Sequence, residues 1–254
     1  VRGLSRVGPG DTTVRTTDAV AKNEMLYDFW KGTFAAKPFD EPAALAALLA
    51  WGPAREEVPF LFPTEAAVER CIRRTCDSAP GPDGLPASAW AACAPESASV
   101  IFDMLVWLGA GHATPVTFND NVMCVIPKSE GEWYEDAHYV SVADTRPISL
   151  KNVDNKLVGS CLMRAARGVL LRLVVPMQQG FTPGRKLVSN VVAVDAAARV
   201  YHAEYESIKS CAVEKAPAIV LFDFSAAFPS LAQQWAFLSM RWQGVPTVNI
   251  DILM

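Results

Sequence analysis

Ala218-Ile219-Val220-Leu221-Phe222-Asp223-Phe224-Ser225-Ala226-Ala227-Phe228-Pro229 is the stretch whose reading decides the fold. An apolar run rich in β-branched residues, entered through Pro217 and closed by a turn of small residues, predicts a buried strand. Asp223 interrupts that run near its end. A carboxylate there is costly to desolvate unless a cation meets it, so it predicts an ion pair or a metal ligand. Phe228 brings an aromatic ring back to the same neighbourhood. The plainer reading of the same residues is a buried strand whose Asp223 caps the following helix.

Working outward, the 254 residues are 51% hydrophobic, enough to bury a large core as one large domain or two smaller ones. A mean hydropathy of +0.16 and well-spread prolines argue against disorder. No apolar run approaches the ~18 residues of a membrane span, and no signal peptide opens the chain. The expectation is an intracellular protein, nuclear or cytoplasmic, with no membrane partner. The best motif lies close to Met254, which leads us to expect a piece of something longer. Net charge is −4, which on its face disfavours a nucleic-acid binder. Locally the balance reverses: Arg146, Lys151, Lys156, Arg164, Arg167, Arg172, Arg185 and Lys186 face the single acid Asp154. Phosphate contacts depend on local charge. The three central arginines of this group read as solvated helix surface. Six cysteines at irregular spacings, without a CxxC pair, predict reduced buried thiols rather than a zinc site or a disulfide scaffold.

Residues 1–60 read as an irregular start followed by helices near Asp18–Trp30 and Glu41–Trp51, the second stopped by Gly52-Pro53. Thr64 is a candidate N-cap for a helix reaching Cys76, with Ala67, Cys71 and Ile72 on one face. Ala79-Pro80-Gly81-Pro82-Asp83-Gly84-Leu85-Pro86 reads as a stiff turn, and a helix over about Glu96–Leu108 follows it. Asn121–Lys128 and Thr145–Leu150 read as two strands of an antiparallel hairpin. A long helix from about Asn152 to Val174 is predicted by Leu157, Cys161, Leu162, Ala165 and Val169 at helical spacing. Its first turn offers free N–H groups that can receive phosphate. In Pro176-Met177-Gln178-Gln179-Gly180-Phe181-Thr182-Pro183-Gly184-Arg185, two glycines permit close backbone approach while Gln, Phe and Arg supply hydrogen-bonding, stacking and phosphate-binding groups. Helices over Leu187–Lys209 and Ser230–Gln243, the latter capped by Ser230, complete the reading.

Taken in order, Gly81-Pro82-Asp83-Gly84-Leu85-Pro86, Pro127-Lys128, Arg146-Pro147-Ile148-Ser149, Gln178–Arg185 and Phe222–Phe228 resemble the reverse transcriptases of non-LTR (LINE-type) retrotransposons. The resemblance runs from about Ala79 to Leu231. It implies an α+β fold: helix-rich fingers with an antiparallel hairpin, leading into a partial palm sheet of a right-hand polymerase. Residues 1–78 then form an N-terminal helical extension, 79–215 the fingers and 216–254 the start of the palm. By the same resemblance Asp223 is the first catalytic, Mg²⁺-binding aspartate. Phe228 lies under the deoxyribose and excludes a 2′-hydroxyl, and the backbone at Phe224, Ala226 and Ala227 lies near the triphosphate. Lys128, Arg146 and Lys156 are implied to meet the nucleotide, and Gln178, Gly180, Phe181, Gly184 and Arg185 the template. The implied partners are an RNA template, a DNA primer and dNTPs in the full-length parent, with Mg²⁺ as cofactor.

The sequence departs from the family at Pro229, where many relatives carry Asp. It also has no Asp-Asp dipeptide after Asp223, so the second part of a two-Mg²⁺ centre is absent from these residues. The spatial expectation is that Asp223 faces an open cleft beside Phe228, with Arg146 and Arg185 turned toward the same void. Two other readings stand beside this one. The first is a noncatalytic RNA-binding module. The second is an α/β phosphohydrolase with Asp223 as nucleophile, weakened by Ser225 standing where a general acid is needed.

Overall fold

The first elements depart from the expected irregular start. The computed structural model describes residues 3–8, 10, 12–53, 60–207, 218–223 and 227–253. Its chain opens with β1 (Gly3–Val7) and β2 (Thr13–Thr16), paired antiparallel. Both strands are short and mostly polar or glycine-containing, so neither carries a clear alternation of apolar and polar residues.

The helices start where capping side chains stand. Asp18 accepts the Ala21 N–H at 2.8 Å to open α1 (Ala19–Phe34), and Asp40 accepts the Ala43 N–H at 2.9 Å to open α2 (Glu41–Trp51). Thr64 does the same through the Ala67 N–H at 3.3 Å for α3 (Glu65–Arg73). Next come α4 (Ala87–Ala92), whose Ser88 N–H is taken by Asp77 at 2.7 Å, and α5 (Ala94–Gly109). Beyond α5, Gly111 takes up the left-handed φ of 78° that ends the helix.

Four strands follow: β3 (Asn121–Pro127), β4 (Glu132–Tyr134), β5 (Ala137–Ser141) and β6 (Thr145–Lys151). The expected antiparallel hairpin is β3 against β6, with Asn121 opposite Lys151 and Pro127 opposite Thr145. The intervening β4 and β5 join the N-terminal strands in a second sheet of order β2-β1-β5-β4, where β1 and β5 run parallel. Then come α6 (Val153–Leu173), α7 (Val188–Ser207), the single turn α8 (Ala227–Ser230), α9 (Gln233–Trp242) and α10 (Thr247–Asp251). The described residues are thus a mixture of helix and small sheets, an α+β arrangement.

The main core lies among α3, α5 and α6. Val68, Cys71 and Ile72 of α3 pack with Ile101, Leu105 and Leu108 of α5 and with Leu157, Val158, Cys161 and Leu162 of α6; Ile252 closes one end. The segment 1–78 therefore carries two strands as well as helices, and its third helix shares a core with residues of the 79–254 segment. At the other end of the molecule the Trp30 indole N–H donates to Thr145 Oγ1 at 3.3 Å, which docks α1 on the start of β6.

Two expected elements are corrected. Residues 218–223 form no strand and are exposed, Phe222 by 85%. A strand is held by hydrogen bonds from a neighbour, and the six described strands, all within residues 3–151, pair only among themselves. Ser230 is the last residue of α8 rather than the cap of the next helix, which starts after Ala232 without a side-chain cap. The thiols also divide: Cys71 and Cys161 are buried, but Cys76 and Cys93 are exposed.

Candidate functional site

Helix α6 ends at Leu173, leaving its last carbonyls and those just beyond without helical partners. Arg185 returns to meet them. Its Nη1 donates to the carbonyls of Val175 and Gln178, the latter at 2.8 Å, and its Nη2 donates to Val174 O at 3.0 Å. The loop between is tied internally: Gln178 Nε2 donates to Gly180 O at 2.8 Å and Thr182 Oγ1 to Gln178 O at 3.2 Å. Gly184 takes the left-handed φ of 79° at the bend.

This closed loop turns one ring outward. Phe181 is held at φ 58°, a region that bulky L-residues rarely enter, and its side chain is 98% exposed. The ring meets Phe228, itself 82% exposed, edge to face at 6.5 Å between centroids and 85° between planes. Two segments singled out separately in the sequence, 176–185 and 222–228, therefore come together at one exposed aromatic pair. Asp223 is exposed as well and has no hydrogen-bond or ion-pair partner among the described residues. Ala227 opens α8 beside Phe228, while Phe224 and Ala226 lie outside the described residues.

The other predicted cations do different work. Lys156, in the first turn of α6, donates to Ala79 O at 2.8 Å and lies 3.4 Å from Ser78 Oγ, so it ties the turn of residues 78–84 to the helix. Asn152 accepts the Asp83 N–H at 3.2 Å in the same contact. Lys128 continues β3 and donates to Ala143 O at 3.3 Å. Arg146, opposite Ile126 on the β3–β6 ribbon, is exposed and without a partner among the described residues. Arg185 does not turn its guanidinium toward a shared void, because the carbonyls of 174, 175 and 178 occupy it. The expected convergence thus reduces to the Phe181–Phe228 contact.

Among the described residues no group of three or more His, Cys, Asp or Glu side chains stands close enough to hold a metal ion. A lone exposed carboxylate at 223 does not make a two-metal centre, so the residues present do not fit Mg²⁺ by themselves. Cys71, Cys161 and Asp154 are among the groups shifted from their ordinary pKa. The Cys161 thiol beside Cys71 holds the Cys71 thiol down at about 6, with the Arg164 guanidinium adding to the effect, and the same contact pushes Cys161 up. Burial raises the carboxyl of Asp154, with the nearby Asp83 charge acting in the same direction.

The sequence reading passed over a third assembly, in which Arg164 and Arg167 of α6 face Arg70 and Arg74 of α3 across a cavity. The available signal was the pairing of arginines three and four residues apart, each pair next to a buried cysteine. No helix among the described residues is long and apolar enough to cross a membrane. The chain matches no model of a known protein family and no curated protein.

Proposed function

We propose that this chain is a partial reverse-transcriptase domain of a non-LTR retroelement, contributing the fingers and the first palm segment of a right-hand RNA-directed DNA polymerase. The observation that carries this reading is the edge-to-face pair Phe181–Phe228. In the resembled family the first of these segments lies against the template and the incoming base pair, and the second under the sugar of that nucleotide. The two belong to one cleft, and here they touch.

On this reading Phe181 supplies a stacking face for a base, while Gln178, Gly180, Gly184 and Arg185 shape the loop that presents it. Phe228 bounds the sugar, and Asp223 supplies one of several carboxylates. Arg146 is a free cation for phosphate, with Lys128 and Lys156 nearer the backbone of their own loops. Asp223 would hold Mg²⁺ only together with further carboxylates of a full-length parent, where the ion would supply charge stabilisation for phosphoryl transfer. Alone, these residues bind RNA–DNA weakly and do not polymerise.

Primer extension with Mg²⁺ tests this directly. The chain is expected to add no nucleotide, and robust incorporation by residues 1–254 would overturn the claim of an incomplete centre. A noncatalytic RNA-binding module is the second reading, favoured by two exposed rings in contact while no cluster of metal-binding carboxylates stands among the described residues. It predicts RNA binding unchanged by adding or chelating Mg²⁺ and independent of any DNA primer.

A further inference from the structure

A cavity of about 270 Å³ opens between α3 and α6, away from the aromatic pair. Arg70 and Arg74 enter it from the α3 side, Arg164 and Arg167 from α6, and the buried thiols Cys71 and Cys161 lie at its base. Among the described residues no carboxylate lines it. Among the described residues none of the four guanidiniums has an ion-pair partner, although neighbouring Arg73 is paired with Glu69 at 2.7 Å. Four exposed arginines lining one concavity give it a positive local charge that favours an anion with several acceptor oxygens.

We propose that this cavity binds a phosphate-bearing anion, of the pyrophosphate or phosphodiester class. The donor set points to phosphate. Each guanidinium presents a planar fork that matches two phosphate oxygens, and the arginines come in pairs one helical turn apart on two facing helices, so adjacent phosphate groups can be held from both sides. Size limits the ligand. The volume is below the roughly 300–1,000 Å³ of pockets that enclose drug-sized ligands, so it admits one or two phosphate groups and leaves any attached sugar and base outside. The site stands independently of the polymerase reading, because it shares no residue with the Phe181–Phe228 surface.

The cavity carries its own reporter. Cys71 already titrates near 6 beside Cys161 and Arg164. A bound phosphate competes with the Cys71 thiolate for Arg164 and adds a like charge, so its binding must raise the Cys71 pKa, and by linkage thiolate formation must weaken binding.

The test uses the full chain, reduced, at low salt, with inorganic pyrophosphate in one arm and a single-stranded RNA oligonucleotide in the other. Binding is read by calorimetry, and the Cys71 titration, with Cys161 in place, by the ultraviolet thiolate absorbance that C71S removes. Pyrophosphate binding that raises the Cys71 pKa and falls at least tenfold in R70Q/R167Q supports the proposal with a small anion as ligand. RNA binding that is competed by pyrophosphate and lost in the same variant supports it with a polymer phosphate as ligand. No binding of either probe to the wild-type chain overturns it. So does binding that R70Q/R167Q leaves unchanged. Should that double variant misfold, R74Q alone, at the exposed C-cap of α3, is expected to weaken binding severalfold, and a Cys71 pKa that pyrophosphate leaves unchanged overturns the proposal without any arginine variant.

Discussion

Gly81→Ala is the substitution whose cost follows most directly from the structure. A Cβ added at Gly81 would lie 2.3 Å from Asn152 N, 2.4 Å from Asn152 Oδ1 and 2.5 Å from Lys151 C. These neighbours are mostly backbone, at the junction where β6 ends and α6 begins, and they cannot rotate away. The turn 79–84 would have to lift off the helix start, which breaks the Asp83 N–H bond to Asn152 and the Lys156 bond to Ala79 O. Overpacking of this kind costs about 1–3 kcal/mol, and two hydrogen bonds add about 1 kcal/mol each. The sum, about 3–5 kcal/mol, is a large share of the ~5–15 kcal/mol that holds a domain together. Gly84 is the matched control, because its φ of 71° is left-handed but nothing stands near its Cβ. Gly84→Ala carries only backbone strain, about 1–2 kcal/mol. Urea unfolding followed by circular dichroism measures both. G81A within about 0.5 kcal/mol of wild type, the range of an indifferent surface change, would refute the docking of this turn on α6, as would a larger loss in G84A than in G81A.

Other outcomes follow from named contacts. Leu105 is fully buried between α3 and α6, so Leu105→Ala is expected to lower unfolding stability by about 2–5 kcal/mol. Arg185→Ala removes three bonds to backbone carbonyls and is expected to cost about 1–3 kcal/mol, with faster limited proteolysis between 176 and 185. Asp154 has a folded pKa above its ordinary 3.8. Its contribution is therefore fully present below that value and is lost as pH rises through the folded pKa. Asp154→Asn should make the protein more stable than wild type at neutral pH and flatten the loss above pH 3.8 seen in thermal melts.

What could be read from the sequence was mostly local. Asp18, Asp40 and Thr64 act within three residues of themselves, so their helix starts were visible. The pairing of β3 with β6 followed from two β-rich runs in order, and the α6 face followed from apolar spacing. Non-local pairings escaped: β1 meets β5 in parallel across more than a hundred residues of chain, and neither strand advertises a buried face. The apolar run 218–222 looked like a core strand because apolarity reports what a segment would gain by burial, not whether a neighbour is there to bury it. Cations were the hardest to place. Lys156 and Arg185 carry the residue types that phosphate binding needs, yet backbone carbonyls satisfy both, and no spacing rule records a carbonyl. Conversely Arg164 and Arg167 read as helix surface, and only the packing of α6 on α3 brings them to one cavity with Arg70 and Arg74.

The most direct test of the proposed function is equilibrium binding of the chain to a short RNA–DNA primer–template across a range of salt, comparing wild type with Phe181→Ala, Phe228→Ala and Arg146→Ala. Loss of the stacking ring is expected to cost about 1–3 kcal/mol of binding in Phe181→Ala. Phe228→Ala, which removes the ring packed against Phe181, should weaken binding in the same direction, and Arg146→Ala should reduce the slope of log K against log salt by about 1. Binding that all three substitutions leave unchanged would contradict the assignment of this face to nucleic acid.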